Sequence, residues 1–243
     1  MACDSAFDRP PLHGRLQDAW ARPLFSPRVV TAEAVPALVD AQLHPDELAA
    51  VERAVPKRRA EFGTARLCAR RALSSLGFEP AALLPHEGRE PRWPPGAVGS
   101  ITHTAGYCGV AVARSELVQS VGLDVEQDRQ LDPALVESVC TPSEWRALAV
   151  RGRPHQDAIV YFSAKEAFYK CQFPLTRVFL GFHDVELTVD FESGTFRARV
   201  LLPLPRRPSG LEAARGRFLR RHALVLCGFE LGAAGVLSPR TGP

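Results

Sequence analysis

Lysine is almost missing from this chain. Among its 30 lysines and arginines only Lys57, Lys165 and Lys170 are lysine. The six cysteines, at positions 3, 68, 108, 140, 171 and 227, form no Cys-x-x-Cys pair and no metal-ligand spacing. That excludes a zinc site built on cysteine pairs and leaves them as small apolar residues of a reducing compartment. No apolar run reaches the roughly 18 residues of a membrane-spanning helix. The first eight residues carry neither the basic nor the apolar segment of a secretion signal, so the expectation is a cytoplasmic protein with no membrane partner. A net charge of +3 is too small for a dedicated nucleic-acid binder, though it permits a local basic patch for an acidic ligand.

What is present is ordinary for a globular protein, with 46% hydrophobic and 23% charged residues. At 243 residues the chain can bury a real core in one large domain or two small ones. An irregular start is expected over residues 1–27. His44-Pro45-Asp46-Glu47 opens a helix. A second helix is expected from about 57 to 76, ending at Gly77. On it Phe62, Ala65, Ala69, Leu73 and Leu76 form an apolar stripe, with Arg59, Arg66 and Arg70 beside it. That arginine row fits a solvated face and an anion site equally well. A proline-rich loop spans 85–99. Strands are expected at 109–113 and 117–126, paired as a hairpin through 114–116. Asp132-Pro133 and the Thr141-x-x-Glu144 capping box begin two more helices. Further strands are expected at 183–190, 195–202 and 222–231, and a disordered tail from residue 238. Helix followed by strands occurs twice, in 45–113 and 133–231. The reading is therefore α+β: a pseudo-two-fold pair of similar halves, 1–116 and 117–243, each a small antiparallel sheet packed with helices.

Two stretches carry candidate chemistry. In Val121-Gly122-Leu123-Asp124-Val125-Glu126 the period of a strand puts both carboxylates on one face, with Cα atoms about 6.6 Å apart. Such a pair is either a wet acidic face or a divalent-cation site, since Mg²⁺ takes one or two carboxylates plus substrate phosphates. Residues 161–170, Tyr-Phe-Ser-Ala-Lys-Glu-Ala-Phe-Tyr-Lys, read as helix and hold two of the three lysines. Glu166 and Lys170 share a face there. As a surface pair they contribute about 0.3–0.5 kcal/mol; as a functional group they suit a metal-bound phosphate.

Taken with Gly99-Ser100-Ile101-Thr102-His103, these segments give a trio whose order and spacing resemble the 4′-phosphopantetheinyl transferases. The long monomeric branch, surfactin-activating and enterobactin-type, is the nearer match. The resemblance covers about residues 50–190, and no departure occurs within the trio. It implies that the pantetheine-bearing phosphate of coenzyme A moves to a serine of apo acyl or peptidyl carrier proteins, releasing 3′,5′-ADP. It implies Mg²⁺ held by Asp124, Glu126 and Glu166. Glu166 is then the favoured general base, directly or through a metal-bound water. Lys165 and Lys170 are implied at the pyrophosphate. Thr102 and His103 are implied around the 3′-phosphate of coenzyme A, and Arg59, Arg66 and Arg89 at its remaining contacts. Two rivals remain: another Mg²⁺-dependent nucleotide phosphoryl or pyrophosphate enzyme, and a non-catalytic binder of carrier proteins or nucleotides. The first lacks the dense acidic helix it needs. The second would be expected to have lost Glu166 or Lys170.

Overall fold

Proline sets where the helices begin. In the computed structural model, which describes residues 16–86, 90–205 and 207–233, every α-helix has proline at its first position: α1 (Pro45–Ala49), α2 (Pro56–Ser75), α3 (Pro133–Val139), α4 (Pro142–Ala149) and α5 (Pro154–Thr176). Its fixed φ suits the first turn, and no hydrogen bond is lost there. His44, Asp132 and Thr141 then cap α1, α3 and α4 through their side chains. Helix α5 runs six residues past its expected end at Lys170, because Pro174 forgoes one backward hydrogen bond without breaking the last turn.

The strands form two antiparallel sheets. In the first, β1 (Val29–Ala34), β2 (Ala97–Thr104) and β3 (Tyr107–Arg114) lie in the order β1-β3-β2. In the second, β4 (Val118–Gln127), β5 (Val185–Asp190), β6 (Thr195–Val200), β7 (Gly216–Arg221) and β8 (Leu224–Gly232) lie in the order β4-β8-β7-β6-β5. The hairpin expected between 109–113 and 117–126 does not form. Strand β3 has β1 on one edge and β2 on the other, Ala111 facing both Thr31 and Ser100, so no edge remains for β4. Strand β4 instead pairs with β8, Asp124 opposite Cys227. The single strand expected at 222–231 is the second arm of a hairpin. His222 and Ala223, both with positive φ, make its two-residue turn. Of the expected irregular start, residues 16–27 contain short 3₁₀ turns at Leu16–Asp18 and Arg22–Leu24. Residues 1–15 and the tail from 238 lie outside the described residues.

Each sheet carries one long helix. Cys68, Ala69, Ala72 and Leu73 of α2 bury against Val110 and Val112 of β3. Helix α5 packs on β4 and β8, with Phe168 edge-on to Phe229 at 5.2 Å. Gly122 lets α5 come this close: a Cβ there would stand 1.8 Å from the carbonyl oxygen of Ala167. The five described cysteines are all buried, while Cys3 lies outside the described residues. No helix among the described residues is long and apolar enough to cross a membrane.

The sheets meet where β2 runs beside β4 without a backbone ladder. Ser100 and Thr102 take the ladder's place. Their hydroxyls accept hydrogen bonds from the amides of Leu123 (3.0 Å) and Val125 (3.2 Å). This junction sets His103 beside the acidic end of β4.

Candidate active site

The close approach of Gly122 to Ala167 brings β4 and α5 together again two residues further along β4 and three further along α5. Lys170 Nζ donates to Asp124 Oδ1 at 2.7 Å and to the Leu123 carbonyl at 3.2 Å. Asp124 is 4% exposed, and its Oδ2 is buried without a hydrogen-bond partner. Thr102 Oγ1 lies 3.4 Å from Asp124 Oδ1. Burial, then the charge of Asp124, pushes the Glu126 carboxyl up to about 7. The same two causes raise Glu166, while Lys170 pulls both down. Three carboxylates thus repel one another around a single ammonium.

A cavity of about 780 Å³ opens beside this cluster, between α2 and the C-terminal end of α5. Its walls include Arg58, Glu61 and Arg66 from α2, His103 from β2, and Tyr169 and Lys170 from α5. Gly99 floors it because the Trp93 ring lies where a Cβ would be, at 2.6 Å. A smaller cavity of about 300 Å³ takes Glu166 and the apolar side chains Phe168, Phe179 and Leu180. Tyr169 borders both cavities.

Arg66 is stacked 4.0 Å over the Phe62 ring, and its Nε donates to the Leu83 carbonyl at 2.6 Å. Burial draws its pKa down to about 10, and it keeps its charge at neutral pH. Arg58 NH1 meets His103 Nε2 at 2.9 Å. The structure therefore brings Lys170, His103 and Arg66 to one cleft, with Asp124 held against it by Lys170. Glu126 and Glu166 are coupled electrostatically to Asp124, and Glu166 lines the smaller cavity.

Other expected residues are placed elsewhere. Lys165 is a correction to the sequence reading. It is 3% exposed, and its ammonium is fully engaged by Glu144 (2.7 Å) and the carbonyls of Phe182 (2.7 Å) and Val139 (2.9 Å). Five residues along a helix is a rotation of about 140° from Lys170, which turns Lys165 away from the cleft. Arg59 points to Asp40 at 2.5 Å and does not line the cavity, a second correction with the same helical cause. Thr102 spends its hydroxyl on β4. Arg70 grips the fully buried Glu47 at 2.6 Å and 2.7 Å, so it belongs to the scaffold. Arg89 lies outside the described residues. Arg58 and Glu61 were missed, although Arg58, Phe62 and Arg66 stand at i, i+4 and i+8. That spacing marks the face turned to the cleft.

Asp124, Glu126 and Glu166 are hard oxygen donors, and the orphaned Asp124 Oδ2 is a buried acceptor in need of a cation. Among the described residues no three His, Cys, Asp or Glu side chains converge tightly enough to cage a metal by themselves. A Mg²⁺ ion held by one or two carboxylates would draw its remaining ligands from water and substrate phosphates.

The fold and the cleft define a class: an α+β protein of two antiparallel sheets, with a cleft between the two long helices lined by Arg58, Arg66, His103 and Lys170. Comparison with known proteins narrows the class. The sequence model for the 4′-phosphopantetheinyl transferase N-terminal domain matches residues 46–113, and that for the 4′-phosphopantetheinyl transferase superfamily matches residues 120–224. The chain is 44% identical over 199 residues to 4′-phosphopantetheinyl transferase Svp of Streptomyces mobaraensis, covering 79% of each chain. It is 43% identical over 197 residues to 4′-phosphopantetheinyl transferase PptT of Mycobacterium tuberculosis, covering 77% of this chain and 85% of that one. Enterobactin synthase component D of Escherichia coli is 32% identical over 125 residues, 50% of this chain and 58% of that one. The chain belongs to the 4′-phosphopantetheinyl transferase family, enzymes that move the phosphopantetheine of coenzyme A onto carrier proteins.

Proposed function

We propose that this chain binds coenzyme A in the 780 Å³ cleft and transfers its 4′-phosphopantetheine to a serine of apo acyl or peptidyl carrier proteins, releasing 3′,5′-ADP. The observation that carries this reading is Lys170, bonded to Asp124, lining the same cleft as Arg58, Arg66 and His103. Cations along one wall suit the phosphates, and three carboxylates at the end suit a metal and a proton acceptor. The two halves, 1–116 and 117–243, act as one catalytic unit with the site at their junction. The protein works as a monomer in the cytoplasm, without nucleic-acid or membrane partners. Its kinship with an enterobactin synthase component makes nonribosomal peptide carriers natural substrates to try, beside polyketide and fatty-acid carriers.

Asp124, Glu126 and Glu166 would hold Mg²⁺, which when bound neutralises pyrophosphate charge and favours departure of the nucleotide. Arg66, Arg58 and His103 bind and orient coenzyme A by its phosphates. Lys170 presents a compact ammonium to the phosphoryl group that is transferred. The serine hydroxyl forms the new P–O bond as the P–O bond to 3′,5′-ADP breaks. Glu166, its carboxyl raised by burial and by Asp124, receives the serine proton.

Intact mass spectrometry tests the reading. An apo carrier protein incubated with this protein, coenzyme A and Mg²⁺ gains one phosphopantetheine, and 3′,5′-ADP appears in equal amount. A carrier panel left at its apo mass while coenzyme A is hydrolysed would favour a nucleotide hydrolase instead.

A further inference from the structure

Glu61 is a carboxylate on a wall that otherwise recruits cations. It is 8% exposed, lines the main cavity and lies 3.5 Å from His103 Nδ1. Arg58 NH1 and Lys57 Nζ stand 4.0 Å away, and Lys57 is largely exposed. Pairs that long contribute little to a helix, so helix stability alone is a poor reason for a buried carboxylate here.

The contacts fix the state of the His103 ring. A guanidinium can only donate. Arg58 at 2.9 Å therefore requires Nε2 to be an acceptor. The ring proton then lies on Nδ1, on the side of Glu61. Without ligand, His103 is a neutral imidazole held between a donor and a carboxylate. A phosphate arriving between Arg58 and Nε2 reverses this, because phosphate oxygens only accept. Nε2 must then donate, which takes a proton from solvent.

We propose that Glu61 is a positioning residue for coenzyme A: it sets the His103 tautomer in the free protein and stabilises the imidazolium that grips a phosphate of the ligand together with Arg58. This rests on the coenzyme A reading and on the position at the 3′-phosphate that the family resemblance implies for His103; what is new is the part played by Glu61. The charged groups facing the ring are Glu61 and Arg58 from α2, Lys170 from α5 and Asp124 from β4. Burial, Arg58 and Lys170 oppose the imidazolium, and Glu61 is the nearest group that favours it. Binding of coenzyme A is thereby linked to proton uptake, which 3′-dephospho-coenzyme A does not require.

The test compares the two nucleotides by calorimetry with the full-length protein. In the wild type, affinity for coenzyme A falls as pH rises from 7 to 9, and affinity for 3′-dephospho-coenzyme A does not. Glu61→Gln weakens coenzyme A about tenfold at neutral pH, because the amide keeps an acceptor for Nδ1 but loses the charge that favours the imidazolium. It shifts the pH dependence to lower pH and leaves the dephospho form unchanged. In a His103→Gln background Glu61→Gln adds nothing. Nitrogen-15 spectra of the wild-type imidazole need no variant: they show neutral Nδ1–H when free and imidazolium with coenzyme A. Equal loss for both nucleotides, or a neutral ring in the complex, overturns the proposal while the transferase reading stands. Failure of the wild type to bind either nucleotide removes that reading, and Glu61's role with it.

Discussion

Helix α5 carries two lysine–carboxylate pairs that differ in almost everything except their 2.7 Å length. Lys165–Glu144 is sealed, with side-chain exposures of 2% and 0%. Every partner of its ammonium is protein: α4, the end of α3 and the turn before β5. Lys170–Asp124 faces the cleft, with the lysine 28% exposed and one Asp124 oxygen left without a partner. The first pair is complete and therefore structural. The second is incomplete, which is the condition for binding something else. Two lysines five residues apart thus do opposite work, and the rotation of the helix decides which does which.

The largest expected effect breaks the sealed pair. Lys165→Met leaves Glu144 charged and buried, costing about 3–5 kcal/mol of stability. Chemical denaturation measures it, and transfer by the molecules that remain folded is unchanged. On the open side the effect falls on rate instead. Asp124→Ala lowers kcat at least about a hundredfold, roughly 2.7 kcal/mol, with little change in melting temperature. Steady-state kinetics beside a thermal melt checks both. An Asp124 variant that melts early with normal turnover would make the two pairs alike.

A third expectation uses pH. The Glu126 carboxyl is raised to about 7, so the folded protein holds its proton more tightly than the unfolded chain does. Proton release from the fold is then unfavourable. Glu126 supports metal-free stability at low pH, and this support fades as pH rises from the ordinary carboxylate range through about 7. The melting temperature of the metal-free wild type should decline across that window relative to Glu126→Gln. The smallest effect concerns the other wall. Arg59→Ala breaks a half-exposed pair with Asp40, costs at most about 1 kcal/mol and leaves the KM for coenzyme A unchanged. Arg66→Ala raises that KM. Equal effects would put both arginines on the cleft.

Much of this arrangement was legible in the sequence. Proline and capping residues marked helix starts, and strand alternation put Asp124 and Glu126 on one side of β4. From the motif trio, His103 and Lys170 line the cleft. Pairing partners were not legible: β4 joins β8 about a hundred residues away, and nothing local distinguishes that from a hairpin with β3. Strand β1 was missed because it is buried on nearly every side and lacks alternation. Strand β7, Gly-Arg-Phe-Leu-Arg-Arg, was missed because charge obscured its period. Arg59 was preferred to Arg58 because neighbours in sequence differ by about 100° on a helix. Lysine scarcity drew attention to both lysines of α5 equally, and only tertiary contacts separate them.

The most direct test is single-turnover transfer to an apo carrier by Lys170→Arg, with coenzyme A and Mg²⁺ saturating. The substitution keeps the charge and an ion pair with Asp124, so a purely structural contact would tolerate it. A guanidinium is broader and flatter than an ammonium and would misplace charge beside the transferring phosphoryl group. The account predicts transfer slowed at least about tenfold, roughly 1.4 kcal/mol, at an unchanged melting temperature. Wild-type transfer by Lys170→Arg would contradict it and make the open pair as structural as the sealed one.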